Sequence, residues 1–193
     1  RPMLLDLIRA AIADRLAGRV GLTVSGGLDS STVSMLSPEP LPAFTGWYDV
    51  PGYDEREYAR LAARAEHHEI QITPADFVEF FDEHVTYLHP ARPEYFMGSF
   101  GQYMVARYMA HFVDVAISGE GSDELFGGYA RQSIVAGEEP PTGYEHYTMP
   151  EGYPTTIAEA LACDYERLPN LLAVDHQMAG AFGLEARAPF TDE

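Results

Sequence analysis

The chain predicts an α/β fold, a doubly wound parallel sheet with helices on both faces, and three observations carry that expectation. Short apolar runs alternate with amphipathic helical segments along most of the sequence, which implies parallel strands covered by helices. Two of those runs empty directly into glycine-rich polar loops, the arrangement found where ligands bind beyond the carboxyl ends of parallel strands. At 193 residues and 46% hydrophobic content, the chain can build one substantial core, so residues 1–193 are expected to form a single domain.

Residues 4–16 place Leu4, Leu5, Ile8, Ile12 and Leu16 at helical spacing, and Gly18 ends that helix. Residues 20–24 are a β-prone run followed by Ser25-Gly26-Gly27. Asp29, Ser30 and Ser31 then offer N-cap chemistry for a helix through about Leu36. The proline-rich stretch 37–42 breaks it, and residues 43–48 read as a second strand. A polar helix is expected over 54–66 and a third strand over 68–72. Thr73 and Pro74 then open a helix carrying Phe77, Phe80, Phe81, Val85 and Leu88. A helix over 101–111 leads to a fourth strand over 113–117, which runs into the loop from Ser118 to Glu124. Residues 137–154, crowded with Pro, Gly and Tyr, read as a long loop, and a last helix is expected over 168–182.

Composition excludes several functions. Thirty acidic against twelve basic residues give a formal charge of −18, which repels a phosphate backbone and argues against nucleic acid as a partner. Cys163 is the single cysteine, so neither an intrachain disulfide nor a cysteine zinc site can form, and a reducing compartment fits. The seven histidines show no HExxH pair, and adjacent His67 and His68 should point to opposite sides of a strand, which makes them structural. No apolar run approaches the ~20 residues of a membrane span and no signal architecture opens the chain, so a cytoplasmic location and no membrane partner are expected. All twelve basic residues are arginines.

The chemistry concentrates in the two loops. Residues 25–31 (SGGLDSS) supply backbone N–H groups that can approach an anion closely, together with hydroxyls and a helix N-terminus favouring phosphate. The loop lacks the GxxxxGK[ST] pattern. A carboxylate there, Asp29, makes physical sense mainly as a ligand to a hard cation bridging phosphates, and magnesium is the natural candidate. The alternative is an ordinary strand-to-helix turn capped by Asp29 or Ser30. Glu120, Asp123 and Glu124 then place three carboxylates within five positions at a second strand end, mutually repulsive without a cation or a proton. Asp123 pairs with Asp29 as a second magnesium ligand, and Glu120 is available to orient or deprotonate an attacking amine.

At these residues the sequence resembles the synthetase domain of asparagine synthetases, among the PP-loop ATP pyrophosphatases, whose fold is adenine nucleotide alpha hydrolase-like. The resemblance runs through SGGLDSS at 25–31, FTGWYD at 44–49, EHHEIQIT at 66–73, SGEGSDELFGGY at 118–129 and GLEARAPFTDE at 183–193. It implies an ATP-dependent, amide-forming ligase that adenylates a carboxylate, releases pyrophosphate and transfers the acyl group to ammonia or another amine. Carried over by position, Ser25, Gly26, Gly27, Asp29 and Ser30 would form the pyrophosphate loop. Thr23, Gly46, Ser118 and Gly119 would contact adenosine, Asp29 and Asp123 would hold Mg2+, and Glu120 would work beside the nucleophile.

The match departs from the family in three places. A family lysine lies beyond the PF-D motif, whereas this sequence has no lysine. The expectations are therefore a fragment of a larger protein, an arginine substitute (Arg131 or Arg187, the latter more naturally a structural ion pair), or nucleotide binding without turnover. The chain is expected to lack the glutaminase domain that precedes this one in the family, so ammonia is expected to come from solution or from a separate glutaminase or other subunit. Otherwise the amine is a different one, as in relatives similar to β-lactam synthetases and lasso-peptide cyclases. Residues 88–103 depart from the family's wording and are read as substrate-facing, with a helix starting near Gly98, which tells against aspartate as the substrate.

Overall fold

The computed structural model describes residues 2–88, 95–139, 144 and 146–191. Five parallel strands form one sheet in the order β3-β2-β1-β4-β5, comprising β1 (Val20–Thr23), β2 (Ala43–Trp47), β3 (His67–Gln71), β4 (Val115–Ile117) and β5 (Glu185–Arg187). Leu22 at the centre stands between Ala43 on one neighbour and Ile117 on the other. The order of strands reverses direction at β1, so the crevice beyond β1 and β4 is a topological switch point.

Side-chain alternation along the strands divides the core into two layers. Val20, Leu22, Val115 and Ile117 face α1 (Pro2–Ala13), α2 (Leu28–Leu36) and α3 (Arg56–Ala62), packing on Ile12, Val33, Ala59 and Ala62. Phe44, Ile70 and Ala116 face the opposite way, onto Val105, Ala106 and Met109 of α5 (Phe96–Met109) and Ala179 of α9 (Leu168–Gly180). The fully buried Ile12, Leu22, Val33 and Ile117 each contribute on the order of 1.5–3 kcal/mol. A third cluster joins α4 (Pro74–Tyr87) to α5 and α9 through Phe77, Phe100, Tyr103, Val174 and Met178.

Element boundaries have local causes. Thr73 caps α4 reciprocally: its Oγ1 accepts from the Asp76 N–H at 3.2 Å while the Asp76 carboxylate accepts from the Thr73 N–H at 2.7 Å. Arg64 donates to the carbonyls of Ser34 (2.9 Å) and Ser37 (2.7 Å), satisfying acceptors at the end of α2. α3 is shorter than the expected 54–66, because Asp54 Oδ1 accepts from the Arg56 N–H at 3.1 Å and forms the turn before it, and Ala63 is extended (φ −68°, ψ 123°). The fourth strand opens at Val115, not Val113, whose N–H is taken by the Met109 carbonyl at the end of α5. α5 starts at Phe96, ahead of the expected 98–101.

Three short helices escaped the sequence reading: α6 (Ser122–Phe126), α7 (Ala130–Val135) and α8 (Ile157–Tyr165). They meet around Asp164, which is 1% exposed. Its carboxylate accepts from Arg131 at 2.8 and 3.0 Å, Gln132 at 2.9 Å and the Tyr153 hydroxyl at 2.5 Å. The described residues of the expected loop over 137–154 hold no helix or strand; residues 140–143 and 145 lie outside the description. His68 stacks on Phe44 with centroids 4.7 Å apart, while His67 on the other face bonds Thr45 Oγ1 at 2.8 Å, as strand alternation requires. Among the described residues no helix is long and apolar enough to cross a membrane.

Candidate active site

The two glycine-rich loops meet at the carboxyl end of β1 and β4. After β1 the chain turns through Ser25-Gly26-Gly27 into α2, and a side-chain network holds that turn. Ser30 Oγ accepts from the Ser25 N–H at 3.2 Å and lies 3.2 Å from Ser25 Oγ, which itself accepts from the Gly27 N–H at 3.2 Å. The N-cap of α2 is Gly27, without a side-chain hydrogen bond, so neither Asp29 nor Ser30 caps the helix as an ordinary turn would have it. The first N–H groups of α2, on Leu28, Asp29 and Ser30, lie beyond the reach of the helix's own carbonyls, an arrangement that can serve as an anion cradle.

Two glycines set the spacing. Gly26 has φ +94°, and a Cβ there would lie 2.8 Å from the Ala59 nitrogen, so this residue seats the loop against α3. Gly119 lets the loops touch: a Cβ would stand 2.8 Å from the Ser30 nitrogen and 3.0 Å from the Asp29 carbonyl carbon. Close backbone approach is the reason for glycine at both positions.

A cavity of about 300 Å³ opens over this junction. Thr23, Ser25, Asp29, Ser30, Gly46, Ser118, Gly119, Glu120 and Asp123 all line it. Gly26 and Gly27, expected in the same loop, are not among the residues that line it. A Cβ at Gly46 would fall 2.8 Å from Val105, so its absence widens the cavity between β2 and α5. The apolar part of the wall comes from Phe44, Val105, Met109, Met178 and Ala179.

Five carboxylates share the space: Asp29, Glu120, Asp123, Glu124 and Asp175. Burial, followed by the charges of Asp175, Glu124, Asp123 and Asp29, pushes Glu120 up to about 7. Burial and then the charges of Asp29 and Glu124 push Asp123 up to about 6, with Arg131 opposing. Glu124 is 3% exposed and accepts from the Tyr129 hydroxyl, whose own pKa is driven upward by burial and that carboxylate. Among the described residues no three His, Cys, Asp or Glu side chains converge to hold a metal unaided. Any cation bound beside Asp29 and Asp123 would need further ligands from an anion and water, as magnesium commonly takes.

Three site residues escaped the sequence reading. Asp175 lies on α9 among residues of the apolar face, accepts a 3.4 Å hydrogen bond from Ser118 Oγ, and is raised by burial. An acid at i, i+3 and i+4 spacing with Leu171, Met178 and Ala179 was the available signal. Gln102 of α5 reaches Glu120 Oε1 at 3.5 Å, and Tyr129 closes the wall beside Glu124. No arginine lines the cavity among the described residues. Arg131 is engaged by Asp164, and Arg187 by Glu185 (2.8 Å) and the carbonyls of Arg15 (2.6 Å) and Ala17 (2.8 Å), so both are structural in this geometry.

Comparison with known proteins agrees with the motifs. The asparagine synthase family model matches residues 3–145. A glutamine-hydrolysing asparagine synthetase of Cricetulus griseus is 30% identical over 200 residues, covering 96% of this chain and 33% of that protein. Putative asparagine synthetases of Methanocaldococcus jannaschii and Mycobacterium tuberculosis are 34% and 35% identical over 118 and 137 residues, covering 57% and 64% of this chain and 22% and 21% of theirs. The chain thus spans about a third or less of the length of these curated relatives. An NH3-dependent NAD synthetase of Campylobacter jejuni aligns with a TM-score of 0.41 at 18% identity, over 66% of this chain and 58% of that one, too loosely to add to the sequence match. With the family's motifs gathered at the strand ends and its model matching most of the sequence, the chain belongs to the asparagine synthase family.

Proposed function

We propose that the chain is the synthetase portion of an ATP-dependent amide-forming ligase, which adenylates a carboxylate and passes the acyl group to ammonia or another amine. The observation that supports it most is the contact of the two loops at Gly119, which sets an uncapped helix N-terminus beside a cluster of carboxylates. The N–H groups opening α2, with Ser25 and Ser30, would take the β- and γ-phosphates, where negative charge grows as pyrophosphate departs. Thr23, Gly46, Ser118 and Gly119 would seat the adenosine. Asp29 and Asp123 would hold a magnesium ion, which supplies charge neutralisation for the leaving pyrophosphate.

A substrate carboxylate oxygen attacks the α-phosphorus, the bond to the bridging oxygen breaks, and pyrophosphate leaves. The amine then adds to the acyl carbon of the mixed anhydride and AMP is expelled. Glu120, at about 7, is matched to accept the proton the amine loses, with Gln102 orienting it from the side of α5. Burial and neighbouring acids supply that match.

Pyrophosphate release by the full-length protein, dependent on ATP, magnesium and an added carboxylate, tests the reading. Release that tracks the carboxylate supports it, and ATP binding with no release for any carboxylate or amine contradicts it. A second reading, nucleotide binding without turnover, is what that contrary result would establish.

A further inference from the structure

We propose that Gly128, which does not itself line the cavity, aims the Asp123 carboxylate, and that the turn from Gly127 to Tyr129 is a positioning element behind the second loop. The inference rests on the adenylation reading, in which Asp123 helps to hold magnesium, and adds a positioning residue to it.

The space beside Gly128 is taken by Asp123. A Cβ on Gly128 would overlap Asp123 Oδ1 and stand 2.9 Å from Asp123 Cγ, whereas the Asp123 Cα is at an ordinary 3.4 Å. All three of the nearest atoms thus belong to Asp123, whose side chain lies folded against the bare Cα of the glycine. Backbone conformation does not call for glycine at this position. Gly127 takes φ +80°, which favours glycine, but Gly128 lies outside that left-handed region. The carboxylate is what leaves no room for a side chain.

The turn is held firmly enough for an added methyl to move the carboxylate rather than the backbone. The N–H groups of Gly127 and Gly128 both donate to the Asp123 carbonyl, at 2.9 and 3.3 Å. The Tyr129 N–H donates to Gln132 Oε1 at 2.9 Å, its hydroxyl donates to the Glu124 carboxylate, and the Arg131 guanidinium lies 3.8 Å over its ring. Gln132 and Arg131 are in turn fixed by the buried Asp164. One turn therefore sets two carboxylates of α6, Glu124 through the Tyr129 hydroxyl and Asp123 through the side chain that Gly128 lacks. The Asp123 carboxylate swings about two side-chain bonds, so its rotation costs less than opening that network. A rotation that clears the methyl carries the carboxylate from the place it holds in the cavity wall.

The experiment is a double-mutant cycle on the full-length protein: wild type, Gly128→Ala, Asp123→Ala and the two combined. Each is read by thermal melts without ligand and by calorimetric titration with ATP at several magnesium concentrations. Without ligand, Gly128→Ala should raise Tm in the Asp123→Ala background, where the methyl finds space and alanine restricts the unfolded chain, and should fail to raise it in the wild type. With magnesium, Gly128→Ala should weaken ATP binding by about 10–100-fold, the range for residues that orient a metal ligand, and should add nothing once the Asp123 carboxylate is gone. Binding of ATP without magnesium should be unchanged. The same Tm shift in both backgrounds, wild-type affinity in Gly128→Ala, or a loss of equal size with and without the Asp123 carboxylate would overturn the proposal while leaving the magnesium reading standing. Background-dependent melts together with ATP binding indifferent to magnesium in every protein would support the seating of Asp123 and overturn the magnesium reading instead.

Discussion

Gly119→Ala tests the junction on which the site is built. The new methyl carbon would sit 2.8 Å from the Ser30 nitrogen and 3.0 Å from the Asp29 carbonyl carbon, where ordinary contact begins near 3.4 Å, so the loops must part by at least 0.6 Å (3.4 minus 2.8). Both obstacles are backbone at the first turn of α2, so no side-chain rotation relieves the overlap. Overpacking of this kind costs about 1–3 kcal/mol. For a chain of this size that is a drop in Tm of about 2–12 °C. Activity should suffer more, because the displacement separates the anion cradle from Glu120 and Asp123, and a shift approaching 1 Å in a reacting geometry costs about 100-fold. Differential scanning fluorimetry and pyrophosphate release measure the two effects. A variant with wild-type Tm and turnover would refute the claim that backbone contact between the loops organises the site.

Two further outcomes follow from buried charge. Glu120 is raised from 4.5 to about 7, so the folded state holds a proton that the unfolded chain releases, and the residue's burden on stability appears as pH rises from about 4.5 through about 7. Glu120→Gln should therefore gain stability at pH 8 and little at pH 4. The full span caps that gain at about 3 kcal/mol, and partial solvent exposure reduces it to about 1–2. Thermal melts across that range check it, and a variant destabilised at pH 8 would contradict the assignment. Asp164→Ala leaves Arg131 without its carboxylate and Tyr153 without its acceptor, at an expected cost of about 3–5 kcal/mol in urea unfolding.

The parallel sheet was legible because β1 and β2 carry enough apolar or aromatic side chains to register as strands, and α4 announces itself with Thr73, Pro74 and an acid three residues later. β5 reads Glu185-Ala186-Arg187, three residues with two charges, and pairs with β4 through its backbone, so side-chain pattern had nothing to report. α6 spans five residues between two glycines at positive φ, Gly121 (+94°) and Gly127 (+80°), too short for periodicity to show. In the site, glycine spacing and clustered acids pointed to Ser25–Ser30 and to Glu120, Asp123 and Glu124, because those residues are adjacent in sequence. Asp175 and Gln102 reach the same cavity from separate helices, 55 and 18 positions from Glu120 respectively, and only tertiary packing joins them. The expected cap on α2 was wrong because a side chain folded back to cap would occupy the N–H groups that Gly27 leaves open.

The most direct test is a calorimetric titration of the full-length protein with ATP, with and without magnesium, against an Asp29→Ala/Asp123→Ala double variant. The account predicts magnesium-dependent binding in the wild type that disappears in the variant while the fold, judged by circular dichroism, persists. Equal affinity in the two proteins, or binding indifferent to magnesium, would contradict it.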